Sequence, residues 1–256
     1  MSSNIQDFHN LHHGDDILFI GNAWDLLSAL SLEKAGFQAL GTTSWGIART
    51  LGYSDGEKID FNIHLGIIKS IVDHVKIPVS ADIESGYGDT QTAIIENVLR
   101  TADLGVAGIN IEDSLKKQTG LRELSGHCEL LSKIRAALEN RGYNNFYINA
   151  RIDTYFQIQD PFAETISRAK AYVESGASGI FVPGLKEEEE IKAVAEQVNA
   201  PLNVLSLPGL TNVKKLNELG VKRFSFGNAF SDKVAAFMEE SAAELYEVRD
   251  TAFLYE

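Results

Sequence analysis

The chain has 256 residues, of which 44% are hydrophobic and 23% are charged, an ordinary composition for a folded globular protein with a large core. The formal net charge of -13 argues against a nucleic-acid partner or an anionic-membrane partner, because both would require a basic surface. The single cysteine, Cys128, excludes an intrachain disulfide and a cysteine-rich zinc site.

The first 16 residues contain no basic region followed by an apolar run, as a secretory leader would. No segment of the chain reaches the ~18 consecutive apolar residues that a membrane helix needs. We therefore expect a cytoplasmic protein with no membrane partner. His9, His12 and His13 lie in this terminal segment, and we interpret them as solvated tail residues rather than as a metal site.

Short β-branched runs alternate along the chain with longer amphipathic stretches. The predicted strands are, in chain order, ILFIG (17–21), QALGTTS (38–44), IPVSAD (77–82), AGINIE (107–112), FYINAR (146–151), GIFVP (179–183), PLNVLS (201–206) and KRFSFG (222–227). A helical pattern follows each strand, and many of these helices end at a glycine, as a C-cap does. Eight strand–helix units predict a (β/α)8 TIM barrel, an α/β fold, with residues 1–256 as one domain.

Polar residues collect at the predicted carboxyl ends of the strands, where the active site of such a barrel lies. They are Thr43, Ser44, Trp45 and Gly46 after strand two, Asp82 and Glu84 after strand three, Glu112 and Asp113 after strand four, Arg151 and Asp153 after strand five, Asn203 in strand seven, and Gly227 and Asn228 after strand eight. Acids from three successive strands would repel one another, and a divalent cation removes that repulsion. Oxygen ligands without His or Cys suit Mg²⁺ before Mn²⁺ or Ca²⁺.

Two further groups in this set favour an anionic substrate. Arg151 supplies a fixed positive fork for a carboxylate or a developing oxyanion. The backbone amides of the Ser44-Trp45-Gly46 turn offer a second place for an anionic group, with Gly46 permitting close approach. The alternative interpretation is that the acids and Arg151 pair in a closed network that does no chemistry.

Several segments resemble the isocitrate lyase and phosphoenolpyruvate mutase superfamily, in the same order and spacing over nearly the whole chain. These segments are TTSWG, LGYSDG, ADIESGYGD, GINIEDS and INARID. The resemblance implies a (β/α)8 barrel, often with the last helix swapped between subunits, in a homo-oligomer that is a dimer or a tetramer. It also implies Mg²⁺ bound next to a small-molecule substrate, an α-keto acid or its enolate.

The resemblance assigns Asp82, Glu84 and Glu112 to the metal sphere, some of them acting through water. It matches Arg151 to an arginine that binds a substrate oxygen. Asp55, in LGYSDG, matches an aspartate near the metal and substrate that is catalytically important in the mutase branch. We therefore predict Asp55 and Arg151 as catalytic residues.

The substrate-binding residues come from two other strand ends. Ser44, Trp45 and Gly46 match the turn that binds the substrate carboxylate in the superfamily. We add Asn203, because strand seven carries it in the predicted barrel.

The loop after strand four departs from the lyase branch, whose loop carries a catalytic cysteine. Here Gln118 and Thr119 stand where that signature would lie, and Cys128 comes too late in the chain. Pro183 also stands where lyases place a glutamate, so isocitrate and methylisocitrate cleavage are disfavoured. Lys117 is our candidate catalytic residue in this loop, and the alternative is that it is a surface charge.

The resemblance thus predicts a Mg²⁺-dependent enzyme that cleaves or rearranges a C–C or P–C bond through a pyruvate enolate. Phosphoenolpyruvate mutase, phosphonopyruvate hydrolase and oxaloacetate decarboxylase all use such chemistry. Two alternatives remain open from the residues. One is a catalytically retired barrel that binds a keto acid or a partner, and the other is a metal-dependent aldolase of a different superfamily.

Overall fold

The computed structural model describes residues 2–116 and 118–255 and contains a closed barrel of eight parallel strands. The strands are β1 (Leu18–Ala23), β2 (Leu40–Thr42), β3 (Val79–Asp82), β4 (Gly108–Glu112), β5 (Tyr147–Arg151), β6 (Gly179–Val182), β7 (Leu202–Leu205) and β8 (Arg223–Ser225). Each strand pairs with the next in chain order, and β8 closes on β1 with Leu18 opposite Arg223. The predicted (β/α)8 barrel is confirmed.

The helices lie between the strands and around them. They are α1 (Ser2–Leu11), α2 (Leu26–Lys34), α3 (Ser44–Thr50), α4 (Phe61–Val72), α5 (Gln91–Asp103), α6 (Leu124–Asn140), α7 (Thr154–Gln157), α8 (Phe162–Glu174), α9 (Glu188–Gln197), α10 (Val213–Glu218) and α11 (Ala229–Val248). A 3₁₀ helix follows at Ala252–Tyr255. In the described part of the chain, no helix has the length and apolar character that crossing a membrane requires.

Local sequence explains where several helices begin. Thr90 precedes α5, and its side chain accepts a hydrogen bond from the amide of Ala93. Asp25 and Ser28 form a reciprocal capping box at the start of α2. These side chains satisfy amide groups that have no partner within the first helical turn, and so they fix the position at which each helix starts.

The barrel separates two layers of different chemistry. Alternate strand residues such as Ile109, Ile111 and Ile148 are fully buried in the apolar core cluster that the strands share with the surrounding helices. The barrel interior is polar instead: Asn149 of β5 donates hydrogen bonds to Asn110 of β4 and to Asn203 of β7. The interior therefore places hydrogen-bonding groups beneath the carboxyl ends of the strands.

Helix α1 closes the opposite end of the barrel and buries His12, which corrects the interpretation of that histidine as a solvated tail residue; His9 is partly buried and His13 is exposed. Phe8 and His12 are both buried, and the ring centroid of His12 lies 3.8 Å from that of Tyr147 in a stacked arrangement. The Nδ1 atom of His12 also lies 2.7 Å from the carbonyl oxygen of Phe8. The apolar contacts of Phe8 with the barrel supply the ordering that the sequence pattern did not reveal.

The last helix, α11, leaves much of its apolar surface exposed. Phe237 is 63% exposed and Tyr246 is 77% exposed, whereas Ser231 near the start of the helix is buried. Arg49 of α3 forms ion pairs with Asp232 and Glu239 and holds the first half of α11 against the barrel. The structure describes a single chain, so the predicted helix swap and homo-oligomer stay predictions.

The buried histidine His127 makes the unfolding free energy depend on pH. Its ring packs 4.7 Å from that of Tyr172, neither ring nitrogen has a hydrogen-bond partner among the described residues, and burial lowers its pKa to about 3. The arginines Arg122 and Arg168 lower the pKa further. The unfolded chain therefore binds a proton below about pH 6.5 that the folded chain does not bind, and stability falls as the pH drops from 6.5 toward 3.

We expect His127 to lower the free energy of unfolding by about 1 kcal/mol for each unit that the pH falls between 6.5 and 3. In urea unfolding between pH 7 and pH 4.5, the free energy of unfolding should decrease less with falling pH in His127→Leu than in the parent protein. His74→Leu, at an exposed position, is the control and should keep the parent slope. Equal slopes in the His127 variant and the parent would contradict this assignment.

Candidate active site

A pocket of about 290 Å³ opens at the carboxyl ends of the strands. Of the predicted site residues, Ser44, Trp45, Asp55, Asp82 and Arg151 line it. The opposite wall is apolar and comes from Phe156, Phe181, Pro183 and Leu205. The pocket therefore has one acidic side, one apolar side and one cationic fork.

Asp82 is held rigidly at the end of β3. Its Oδ2 atom accepts hydrogen bonds from the hydroxyl of Ser44 at 3.0 Å and the amide of Ser44 at 3.3 Å. Its own amide donates to Thr42 Oγ1 at 2.8 Å, and its carbonyl oxygen lies 2.9 Å from Nε2 of His64. The carboxylate thus has a fixed direction, and among the described residues its Oδ1 atom accepts one long hydrogen bond, of 3.4 Å, from the amide of Glu84.

Glu84 lies in a strained turn and contacts the segment that contains Glu57. Glu57, Glu84 and Tyr87 all have positive φ angles, of 57°, 51° and 53°. The Glu84 carboxylate accepts hydrogen bonds from the Tyr87 hydroxyl at 2.6 Å and from the Glu57 amide at 2.8 Å. Positive φ angles at non-glycine residues cost free energy and cluster at functional sites, so this turn is a feature of the site rather than a packing accident.

Lys116 lies between two of the predicted metal-sphere acids. Its Nζ atom is 2.5 Å from Oε1 of Glu112 and 3.0 Å from Oε2 of Glu84. Burial lowers the pKa of Lys116, but Glu112 and Glu84 outweigh burial and raise that pKa overall. The ammonium group therefore carries a full positive charge and neutralises part of the acidic cluster.

Glu112 is buried between two cations. Arg151 Nη1 lies 3.0 Å from its Oε2 atom, opposite Lys116, and Arg151 also pairs with Asp153 at 2.6 Å. Burial raises the pKa of Glu112, and the two neighbouring cations oppose that shift. Neither carboxylate oxygen has an aligned hydrogen bond among the described residues. The group is thus held by its ion pairs with Lys116 and Arg151.

Asp55 faces the same acids from the loop after α3. Burial and the nearby carboxylates of Glu84 and Asp82 raise the pKa of Asp55 to about 6. Its Oδ1 atom is buried and has no hydrogen-bond partner in the described ranges 2–116 and 118–255. This side chain experiences excess negative charge that a bound cation would relieve.

The donor set fits a divalent ion that keeps much of its own water. No group of three or more His, Cys, Asp or Glu among the described residues is arranged to hold an ion directly. Mg²⁺ commonly binds through one or two carboxylates, with water and substrate oxygens completing the sphere. Asp82, with Oδ1 nearly free, and Asp55, with Oδ1 unpartnered, provide such carboxylates.

The turn at residues 44–46 begins α3, and two of the amide groups that the sequence analysis assigned to an anionic ligand already donate hydrogen bonds within the protein. The amide of Ser44 donates to Asp82, and the amide of Gly46 donates to Thr43 Oγ1 at 3.4 Å. A Cβ atom on Gly46 would lie 2.7 Å from Cβ of Trp24, so close packing requires the glycine here. The indole of Trp45 donates to Asp232 at 3.2 Å.

Four predicted site residues do not line this pocket, namely Gly46, Glu84, Glu112 and Asn203. Asn203 is 1% exposed in the barrel interior and does not line the pocket; its amide donates to the carbonyl of Arg223 and to the hydroxyl of Ser225. Lys117 falls outside the described residues. The loop around it folds back on itself, with Ser114 bridged to Leu121.

The polar pocket residues that escaped the sequence analysis are Asn22, Thr42, Asn110 and Ser225. Asn110 lies two positions before Glu112 on β4, and Ser225 two positions before Gly227. Because alternate residues of a strand face the same side, this spacing is the signal that would have identified them.

Comparisons with known proteins agree with this geometry. The family model for phosphoenolpyruvate phosphomutase matches residues 8–246, a range that contains all eight strands. An uncharacterized protein of Mycobacterium tuberculosis is 38% identical over 222 residues, which cover 86% of this chain and 81% of that protein. Oxaloacetate decarboxylase 1 of Pseudomonas fluorescens is 30% identical over 227 residues, covering 85% of this chain and 76% of that enzyme.

A solved structure shows the same architecture. A Burkholderia cenocepacia J2315 protein, provisionally named a lyase/mutase, superposes with a TM-score of 0.91 at 32% identity. The superposition covers 98% of this chain and 90% of the other. The similarity therefore extends over the barrel and the elements around the pocket.

Proposed function

Because the chain belongs to the phosphoenolpyruvate phosphomutase family, in the superfamily that also contains the isocitrate lyases, we propose that it is a Mg²⁺-dependent lyase or mutase. Its substrate is an α-keto acid or the corresponding enolate, and it cleaves or rearranges a C–C or P–C bond. The acidic cluster of Asp55, Asp82, Glu84 and Glu112 carries this proposal. Asp55 and Asp82 line the pocket with Arg151, Glu112 pairs with Arg151, and Glu84 raises the pKa of Asp55. Mn²⁺ is the alternative ion.

The acids would hold the ion, and Arg151 would stabilise negative charge on the substrate. Asp82 and Asp55 would hold the ion directly, and Glu84 and Glu112 would hold it through water. When bound, the ion supplies Lewis-acid polarisation of the keto-acid oxygens. Arg151 is fixed by Asp153 and Glu112, and its fork stabilises the negative charge that develops on the substrate as the bond at carbon 3 breaks.

The apolar wall and the loop shape the rest of the pocket. Phe181 is buried and, with Leu205, gives the pocket an apolar side, and an apolar lining strengthens charge interactions inside a pocket. The loop 114–122 brings Lys116 over the acidic cluster. Pro183 lies in the apolar wall and offers no acidic group, in keeping with a substrate other than isocitrate or methylisocitrate.

The proposal is tested by proton and phosphorus NMR of the purified protein with oxaloacetate, phosphonopyruvate, phosphoenolpyruvate and methylisocitrate. We expect Mg²⁺-dependent formation of pyruvate, or interconversion of the phosphorus species, and its suppression by a chelator. Turnover that is insensitive to the chelator would contradict the metal requirement. Retained Mg²⁺ affinity without turnover of any keto acid would instead support a barrel that only binds its ligand.

The position of Lys116 makes a separate prediction about metal affinity. Its ammonium competes with a divalent ion for Glu84 and Glu112, so Lys116→Met should bind Mn²⁺ roughly tenfold more tightly in the absence of substrate. Titration of free Mn²⁺ by electron paramagnetic resonance measures this affinity. Lys133→Met, which removes an exposed lysine paired with Glu129, is the control and should match the parent protein. Weaker or unchanged Mn²⁺ binding in the Lys116 variant would contradict competition.

A further inference from the structure

The bottom of the active-site pocket is formed by Asn22, Asn110 and Ser225, which we call the pocket floor. Asn110 lies in register with Asp82 of β3, and Ser225 ends β8 in register with Leu205 of β7, so both stand on the strands that surround the pocket. Ser80, in the same interior, does not line the pocket. The floor is thus a defined set of polar groups under the place where the substrate would bind.

Hydrogen bonds fix the direction of both floor amides. The Oδ1 atom of Asn110 accepts from Asn149 Nδ2 at 2.9 Å and from Arg223 Nη2 at 3.3 Å. The Oδ1 atom of Asn22 accepts from the amides of Phe226 and Gly227 at 3.0 and 2.9 Å. A flipped amide at either position would set N–H groups against N–H groups.

Both Nδ2 groups therefore point away from these donors. No acceptor among residues 2–116 and 118–255 takes a hydrogen bond from either one, and both residues line the pocket. Together with the Ser225 hydroxyl, they make the floor a surface of hydrogen-bond donors.

Arg223 contacts this surface through Asn110, and it forms no ion pair with any residue in the ranges 2–116 and 118–255. It is 1% exposed, its Nε and Nη1 atoms are unpartnered among the described residues, and its guanidinium lies 5.8 Å from the centroid of the Phe8 ring. Burial lowers the pKa of Arg223 to about 10, so the group stays charged at neutral pH. A buried charge without a counter-ion is costly unless an anionic group approaches it, and Nη2 of Arg223 reaches the pocket lining at Asn110.

We propose that Asn22 and Asn110 bind an oxyanion group of the substrate at the pocket floor, and that Arg223 is a positioning residue that orients the Asn110 amide and makes the floor electropositive. This inference rests on the proposed function, since it takes the occupant to be an anionic keto acid. The substrate would thus lie with its metal-binding end toward the acids and an oxyanion group against Asn22 and Asn110. The role of Asn203 in this arrangement is to hold Asn149, which in turn orients Asn110.

Asn110→Asp tests the proposal with a change of one atom. The aspartate keeps the shape, pairs with Arg223 and presents an oxygen to the pocket in place of the NH₂ group. We expect the affinity for oxalate, measured by calorimetry with Mg²⁺ present, to fall about tenfold or more. We expect the melting temperature to rise, because Arg223 gains a counter-ion. A purely structural role for Asn110 would leave the oxalate affinity unchanged.

Asn22→Asp is the second variant and Ser80→Ala is the control. The Asn22 variant should lose oxalate affinity, because an oxygen replaces the NH₂ group that Asn22 presents to the pocket. Ser80 has an unpartnered hydroxyl in the barrel interior, and its loss should leave oxalate affinity at the parent value. Parent-like oxalate affinity in both aspartate variants would overturn the floor proposal.

The outcomes separate this inference from the proposed function. If the parent protein binds no oxalate with Mg²⁺, the proposed function fails. The melting temperature of Asn110→Asp still decides the role of Arg223 in that case. A melting temperature of Asn110→Asp equal to or below that of the parent would contradict the claim that Arg223 is a buried charge without a counter-ion.

Discussion

Replacing Asp82 with asparagine is expected to lower kcat/KM by roughly 10²- to 10³-fold and to weaken Mn²⁺ binding, with the barrel still folded. Asparagine keeps an oxygen that accepts from the amide and the hydroxyl of Ser44, so the local hydrogen bonds survive. What is lost is the negative charge of the carboxylate, whose Oδ1 atom accepts, among the described residues, one long hydrogen bond of 3.4 Å. Steady-state kinetics on the keto acid identified by NMR, together with a Mn²⁺ titration, measure the two effects.

Asp103→Asn is the matched control for this variant. Asp103 is an exposed carboxylate that pairs with Arg141 far from the pocket, so its neutralisation should change neither kcat/KM nor Mn²⁺ affinity. A thermal melt of both variants checks folding. Parent-like, metal-independent activity in Asp82→Asn would refute the metal site.

Replacing Arg151 with lysine should cost about 10²-fold in kcat/KM, with the loss shared between kcat and KM. The guanidinium pairs with Asp153 through Nε and Nη2 and with Glu112 through Nη1, an arrangement that a single ammonium group cannot reproduce. Lysine retains the positive charge, which limits the destabilisation of buried Glu112. The variant therefore tests the geometry of the fork rather than its charge.

Arg141→Lys, at an exposed ion pair with Asp103, is the control for the same substitution. We expect it to have parent kinetics. If Arg151→Lys retained full kcat/KM at parent stability, Arg151 would serve only to neutralise Glu112 and Asp153, as in the closed network considered from the sequence.

The eight strand positions followed from the sequence because each depends on local periodicity. The predicted strand 77–82 and the observed β3 (Val79–Asp82) end at the same residue, and so do the predicted strand 107–112 and β4. The predicted strand 38–44 is longer than β2, because Ser44 already begins α3 with Thr43 as its N-cap. An N-cap threonine in extended conformation resembles a strand residue when the sequence is considered alone.

The site was predicted in part for the same reason. Carboxyl ends of parallel strands meet at one end of a barrel, so Asp82, Glu112 and Arg151 were expected to converge, and Arg151 does contact Glu112. The placement of Asn203 below the pocket was not predicted. Its position along β7, two residues before Leu205 of the pocket wall, decides its depth, and only the closed barrel defines where the pocket ends.

The sequence by itself determined the number and order of the strands, the helices that connect most of them and the acids at their carboxyl ends, because these depend on residue periods and on short spacings. Tertiary structure alone decided that Lys116 would sit between Glu84 and Glu112, and that Arg223 of β8 would reach Asn110 of β4 across the barrel. It also decided that α1 would close the barrel with Phe8. These contacts join residues far apart in the chain, and the tilt and stagger at which the sheet closes set their distances, a property that no local pattern contains.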